Sequence, residues 1–325
     1  GRHEVMTSYE LFLKQKARVW QGDGISRADL PSQLFDWQSA CTRWALRKGR
    51  AAIFADCGLG KTLMQLEWAR HVSAQGRVLI LAPLAVAQQT VAEAKRFHYD
   101  VVYLRSDDGH SPVVVSNYEM LHHFDASIFH GVVLDESSIL KSFMGATKRA
   151  LMTAFYNTTF RLCCTATPSP NDHMELGNHA DFLGVMPSNE MLSRWFINDT
   201  MHAGNYRLKK HGEKDFWKWV ASWAVSCSIP SDLGAYDDSG FILPKLTITT
   251  KTIDSGPAPG RLFCDETSLS ATEIHAVKRK TAEERATSAI AFLNSSADQC
   301  LIWCDTNYEA DAIMRLAPKG VVEVR

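Results

Sequence analysis

Ala51-Ala52-Ile53-Phe54-Ala55-Asp56-Cys57-Gly58-Leu59-Gly60-Lys61-Thr62 is the stretch that decides the fold. An apolar run enters a loop with two glycines. Helix formers follow over residues 61–74, with Leu63, Leu66, Ala69 and Arg70 at helical spacing. A strand, a glycine-rich loop and a helix in direct succession make a cradle for phosphate groups. Gly58 and Gly60 let the backbone curl so that its N–H groups face the phosphates, and the helix adds its positive end. Lys61 sets a cation against the β- and γ-phosphates, and the Thr62 hydroxyl is placed to bind Mg2+.

Outward from the loop, strands and helices alternate. Residues 77–82 are rich in Val, Leu and Ile and read as a strand, and 101–104, 113–116, 132–135 and 160–165 read as further strands. Helical patterns separate them, at 84–97 after Pro83 and at 146–156. This alternation predicts an α/β domain, a parallel sheet with helices on both faces. Functional residues in such sheets sit at the carboxyl ends of strands. The strand Val132-Val133-Leu134 ends in Asp135 and Glu136. Asp135 would hold Mg2+ and Glu136 would polarise an attacking water. An acidic pair can also cap a helix. Its place roughly 75 residues after a phosphate loop favours the catalytic reading.

Composition bounds the rest. A chain of 325 residues has room for about two domains of ~150 residues. With 46% hydrophobic and 22% charged residues it is neither wholly disordered nor collagen-like. Lys+Arg 35 against Asp+Glu 36 leaves a net charge of −1, so a nucleic-acid binder of this balance needs local basic patches. No apolar run nears the ~20 residues of a spanning helix, and residues 1–10 have no apolar signal core. We expect a cytoplasmic protein without a membrane partner. The eight cysteines read as reduced, small core residues rather than zinc ligands or disulfides. His122, His123, His173 and His179 lack metal-ligand spacing and read as structural or surface residues.

Residues 184–240 differ in kind. Arg207, Lys209, Lys210, Lys214 and Lys218 stand among Tyr206, Phe216, Trp217, Trp219 and Trp223. Phe216, Trp219, Val220 and Trp223 fall at helical spacing, first of all a packing stripe. The basic residues then form a solvated face or reach a phosphate backbone, and both readings stand. Residues 255–261 read as a linker. Helix 271–294, strand 299–304, helix 307–316 and strand 321–325 begin a second α/β unit.

The order of motifs resembles superfamily two helicases and, within them, the SWI/SNF-like DNA translocases, with the closest look to DEAD/DEAH-type helicases of bacteriophages and prophages. Leu34-Phe35-Asp36-Trp37-Gln38 looks like the segment that sets a glutamine on the adenine edge. Ala55–Thr62 is similar to motif I, Leu79–Leu84 to motif Ia, Val113–Glu119 to motif Ib and Asp135-Glu136-Ser137-Ser138 to motif II. Thr165-Ala166-Thr167-Pro168 matches motif III, and Leu301–Asp305 looks like the first strand of a second RecA-like domain. Motif II departs from the usual Asp-Glu-Ala-His, and nothing resembles motifs V and VI.

The resemblance implies a RecA-like ATP-binding domain over residues 31–240, with a helical, basic insertion at about 184–240. A helical extension would precede it at 1–30. Residues 241–325 would form a linker and the start of a second RecA-like domain, truncated. ATP would be held by Gln38, Asp56, Cys57, Gly58, Leu59, Gly60, Lys61 and Thr62, with catalysis by Lys61, Asp135 and Glu136. Mg2+ would lie on Thr62 and Asp135, coupling on Thr165, Ala166 and Thr167, and nucleic-acid contact on Pro83, Ser116, Asn117, Tyr118 and Lys141. The implied function is ATP-driven helicase or translocase action on duplex DNA, bound without regard to sequence, in bacterial or phage-infected host cytoplasm. An RNA helicase, or a nucleotide-dependent DNA-binding module that does not turn over, stays open. The truncated chain alone is expected to hydrolyse ATP poorly.

Overall fold

The computed structural model describes residues 19–141, 145–169, 172–198, 206–253 and 271–323. It divides into two units, residues 1–243 and 244–325. The first is built on a seven-stranded sheet. Its strands are β1 (Arg50–Ala55), β2 (Val78–Ala82), β3 (Val102–Tyr103), β4 (Val113–Asn117), β5 (Gly131–Asp135), β6 (Phe160–Cys164) and β9 (Ala224–Cys227). They lie in the order β3-β4-β2-β5-β6-β1-β9, with every pair parallel. Register brings the carboxyl ends to one edge: Asp135 pairs with Cys164, Ile53 with Cys164, and Ala55 with Cys227.

Both faces of the sheet are covered, which is why its central strands read as unbroken apolar runs. Alternate residues serve opposite cores. Ala51, Ile53, Val78, Ile80, Val133 and Leu162 pack with α1 (Asp36–Lys48), α2 (Lys61–Ser73) and α3 (Leu84–Arg96). Ala52, Phe54, Leu79, Leu81, Val132 and Leu134 face the other core with α4 (Ala146–Ala154), α5 (Leu176–Leu183), α6 (Ser188–Trp195) and α7 (Glu213–Trp223). Each fully buried aliphatic side chain contributes about 1.5–3 kcal/mol.

The segment read as an insertion is less separate than expected. After α6 comes a short antiparallel hairpin of β7 (Phe196–Asn198) and β8 (Tyr206–Leu208), then α7. The stripe Phe216, Trp219, Val220 and Trp223 is buried as predicted. The chain then passes into β9 and rejoins the main sheet beside β1. Residues 184–240 therefore complete the domain rather than decorate it. Residues 19–30 carry no helix, and the rest of the expected N-terminal helical extension, 1–18, lies outside the described residues.

The second unit holds α8 (Ala271–Lys280), α9 (Ala282–Ser295) and α10 (Asn307–Leu316). The helical stretch expected as one piece breaks at Thr281. Arg285 pairs with Glu309 at 2.5 Å and Arg315 with Glu283 at 2.9 Å, clasping α9 to α10. The strand expected at 299–304 has no ladder, and Leu301 and Trp303 are exposed. A strand forms where a neighbour takes its N–H and C=O groups, and the described residues of this unit supply none. Residues 321–323 likewise pair with nothing described, and 324–325 lie outside. Among the described residues no helix is long and apolar enough to cross a membrane. Cys41, Cys163, Cys164 and Cys227 are buried as expected of core residues, whereas Cys57 and Cys300 are exposed.

Candidate active site

The loop between β1 and α2 depends on two left-handed glycines, Gly58 at φ 82° and Gly60 at φ 70°. A side chain at Gly60 would also strike Gln38, with its Cβ 2.5 Å from Nε2. At Gly58 a Cβ would meet nothing within 4 Å, so the loop faces open space there. Gly60 caps α2 without a side-chain bond, which leaves first-turn N–H groups for an anion. Lys61 Nζ folds back over the loop and donates to Ala55 O (2.9 Å) and Asp56 O (3.2 Å). Thr62 is half-buried in the first turn. The loop is braced from two sides. Asp56 N donates to Cys227 O of β9 at 3.0 Å, and Gln38 Nε2 donates to Leu59 O at 3.0 Å. Gln38 Oε1 also accepts from Phe35 N at 3.0 Å. One N–H and one lone pair of that amide stay uncommitted.

Asp135 and Glu136 lie at the carboxyl end of β5. Asp135 is 4% exposed. Its Oδ1 accepts from Gln65 Nε2 (2.7 Å) and Glu136 N (3.0 Å), and its carbonyl accepts from Tyr118 Oη at 2.6 Å. Burial lifts its carboxyl above the usual range, with the Gln65 amide pulling the other way. Glu136 sits at φ 51°, one of two left-handed non-glycine residues among those described. Such a conformation costs of order 1–3 kcal/mol and persists only where its surroundings impose it. Thr165 Oγ1, at the end of β6, donates to Glu136 Oε2 at 3.2 Å and accepts from Thr167 N at 3.1 Å. Ala166 lies between them, half-buried.

Phosphate loop, acidic turn and Thr165 thus converge on one edge of the sheet. The donor set fits a nucleotide with Mg2+. The buried carboxylate of Asp135 favours a cation beside it. Gln65, which holds it, keeps a buried Oε1 without a hydrogen-bond partner. Mg2+ takes one or two carboxylates with phosphate oxygens and water rather than an all-protein cage. Gln65 escaped sequence reading, although it stands four residues after Lys61 on the same helix face, the signal that could have found it.

The residues expected along the nucleic-acid track are placed differently. Ser116 is fully buried and donates to Leu104 O at 2.7 Å. Asn117 is buried, accepts from Tyr103 Oη at 2.8 Å and donates to Glu119 at 2.5 Å. Tyr118 is spent on Asp135. These three side chains hold the acidic turn and strand ends together and do not face outward. Pro83 is half-buried and Lys141 is exposed. Of the basic cluster, Arg207, Lys210, Lys214 and Lys218 are exposed, while Lys209 donates to Ser193 O and Arg194 O.

Residues 36–218, more than half of the chain, match the family described as SNF2-related domain. The chain belongs to this family. Its seven-stranded sheet is the RecA-like core of SNF2 ATPases. Among relatives of the SNF2-related chain, Helicase SWR1 of Debaryomyces hansenii is 29% identical over 195 residues, 53% of this chain and 11% of that protein. A probable chromatin-remodeling complex ATPase chain of Oryza sativa subsp. japonica is 24% identical over 234 residues, 60% of this chain and 21% of that protein. The chain therefore spans a small part of the length of these relatives. The Sulfolobus solfataricus SWI2/SNF2 ATPase core, solved in complex with dsDNA, shares the fold with a TM-score of 0.51 and 15% identity. That match covers 65% of this chain and 46% of that one.

Proposed function

We propose that this chain carries the ATP site of a motor that moves on DNA without reading its sequence. The observation that supports it is the convergence of Lys61, Asp135, Glu136 and Thr165 on one sheet edge, each held by a named partner. In this reading the loop N–H groups and Lys61 bind the β- and γ-phosphates. Asp135 and Thr62 hold Mg2+, which offsets charge on the phosphates. Glu136 orients and deprotonates the attacking water, and Thr165 reports the state of that carboxylate to the segment that follows β6. Exposed Lys141, Lys210, Lys214 and Lys218 contact phosphates of the nucleic acid. DNA is favoured over RNA because the SWI2/SNF2 core of like fold was solved with dsDNA. The test is steady-state hydrolysis by the full-length protein with duplex DNA, RNA or neither, with Lys61→Ala as the blank. Stimulation by duplex DNA that Lys61→Ala abolishes is the expected result. Greater stimulation by RNA, or hydrolysis that survives Lys61→Ala, would overturn it.

A further inference from the structure

His179 stands on α5, outside the loop, the acidic turn and the end of β6. It is fully buried, and its ring lies edge-on to Phe54 of β1 with centroids 5.2 Å apart. Its Nε2 is 3.1 Å from Ser137 Oγ. Ser137 is also fully buried, follows Glu136 directly and opens the short 3-10 turn Ser137–Lys141. The same hydroxyl faces the Cys163 thiol of β6. Burial pushes the imidazole down to about 4, so at neutral pH the ring is uncharged, with one N–H and one lone pair.

Stability does not call for this pair. The core around it is made of residues such as Phe54, Phe182, Leu134 and Trp223. Two apolar side chains of matching shape would serve there as well. What a hydrogen bond adds to such a core is direction. Direction matters at this point because Glu136 has left-handed backbone. Gln65 and Tyr118 hold the turn ahead of Glu136, and Thr165 touches its carboxylate. The Ser137–His179 bond grips the turn on the far side of Glu136, while the ring leans on the strand that ends in the phosphate loop.

We propose that His179 is a positioning residue, which through Ser137 fixes where the Glu136 carboxylate points and ties it to β1. This rests on the reading of Glu136 as the group that orients water. The variants are His179→Leu, which keeps bulk and removes the bond, and His179→Gln, whose amide reaches about as far as Nε2. Ser137→Ala is the milder change should His179→Leu fail to fold. Three quantities are read: kcat of DNA-stimulated hydrolysis by the full-length protein, nucleotide affinity, and amide hydrogen exchange of residues 136–139. His179→Leu should lower kcat roughly ten- to a hundred-fold, as small misplacements of reacting groups do, with nucleotide affinity within about two-fold. Exchange at 136–139 should quicken about ten-fold while β5 stays protected. His179→Gln should restore both, and Ser137→Ala should reproduce His179→Leu and add nothing to it. Unchanged exchange and kcat in His179→Leu would overturn the proposal, as would equal damage from Leu and Gln, the mark of a packing role. A parent protein that does not hydrolyse ATP would sink the functional reading alone, and the exchange result would still decide whether His179 anchors the turn.

Discussion

Gln65→Leu separates metal binding from stability. Gln65 is fully buried and donates to Asp135 Oδ1 at 2.7 Å, while its own Oε1 has no partner. Leucine removes both features. The lost bond to a carboxylate is worth about 1.5–3 kcal/mol, and relief of a buried, unpartnered amide oxygen returns about 1–3 kcal/mol. The two nearly cancel, so unfolding free energy should move by no more than about 1 kcal/mol. Mg2+ binding has no such compensation. Groups that orient a metal-binding carboxylate typically alter metal affinity about 10–100-fold when removed. Nucleotide affinity titrated against Mg2+ should therefore show its midpoint shifted upward by that factor, with Mg2+-free affinity unchanged within about two-fold. Urea unfolding supplies the stability arm. A midpoint that stays put would show that Gln65 does not orient Asp135 for a cation. A loss of stability above about 3 kcal/mol would show that the balance of buried polar groups was misjudged.

Other perturbations test other links. Glu136→Gln should keep nucleotide affinity and lose turnover, because the amide preserves size but cannot take a proton from water; affinity collapsing with rate would assign Glu136 to binding. Glu67 of α2 is buried, and although burial pushes its carboxyl up, bonds from His71, Arg70 and Tyr99 bring it down to about 2. Its stabilisation is present above about pH 4.3 and is lost as pH falls toward its folded value. His71, raised by Glu67, works in the opposite sense, with its contribution full below about pH 6.5 and lost as pH rises through its folded value. Glu67→Gln should cost roughly 2 kcal/mol near pH 5.5 and flatten both limbs, read by urea unfolding across pH; a curve parallel to the parent's would refute the linkage. Lys214→Ala should lower the slope of log affinity for DNA against log salt by about one, and an unchanged slope would return Lys214 to a solvated face.

The strands β1, β2, β4, β5 and β6 were legible because a doubly covered parallel sheet demands unbroken apolar runs. The phosphate loop and the acidic pair were legible because their chemistry is local. β9 was not. Ala224–Cys227 is short and follows the Trp219–Trp223 stripe without a break, so periodicity reads it as the end of a helix. The inward placing of the Ser116, Asn117 and Tyr118 side chains was illegible for a related reason. A polar group at a strand end looks the same in sequence whether it faces solvent or a neighbouring turn, and only the register of β4 beside β2 decides. The partners of Gln65 and His179 lie 70 and 42 residues away, so a local window marks at most the helix face of Gln65 beside Lys61 and nothing of His179.

The edge position of β9 has a consequence for the order in which the chain becomes safe from itself. β1 pairs with β6 on one side, and among the described residues its other side is satisfied by 224–227, paired with 52–55. Until that late segment arrives, β1 is a bare sheet edge of small and apolar residues, open to any strand that passes. A nascent chain carries this liability through about 170 residues of synthesis. The recognisable family segment ends at residue 218, before β9 begins. A fragment of residues 34–223 would keep the ATP-site motifs and the whole of α7 yet lose the strand that shields β1, and it should aggregate where a fragment ending at residue 243 stays monomeric.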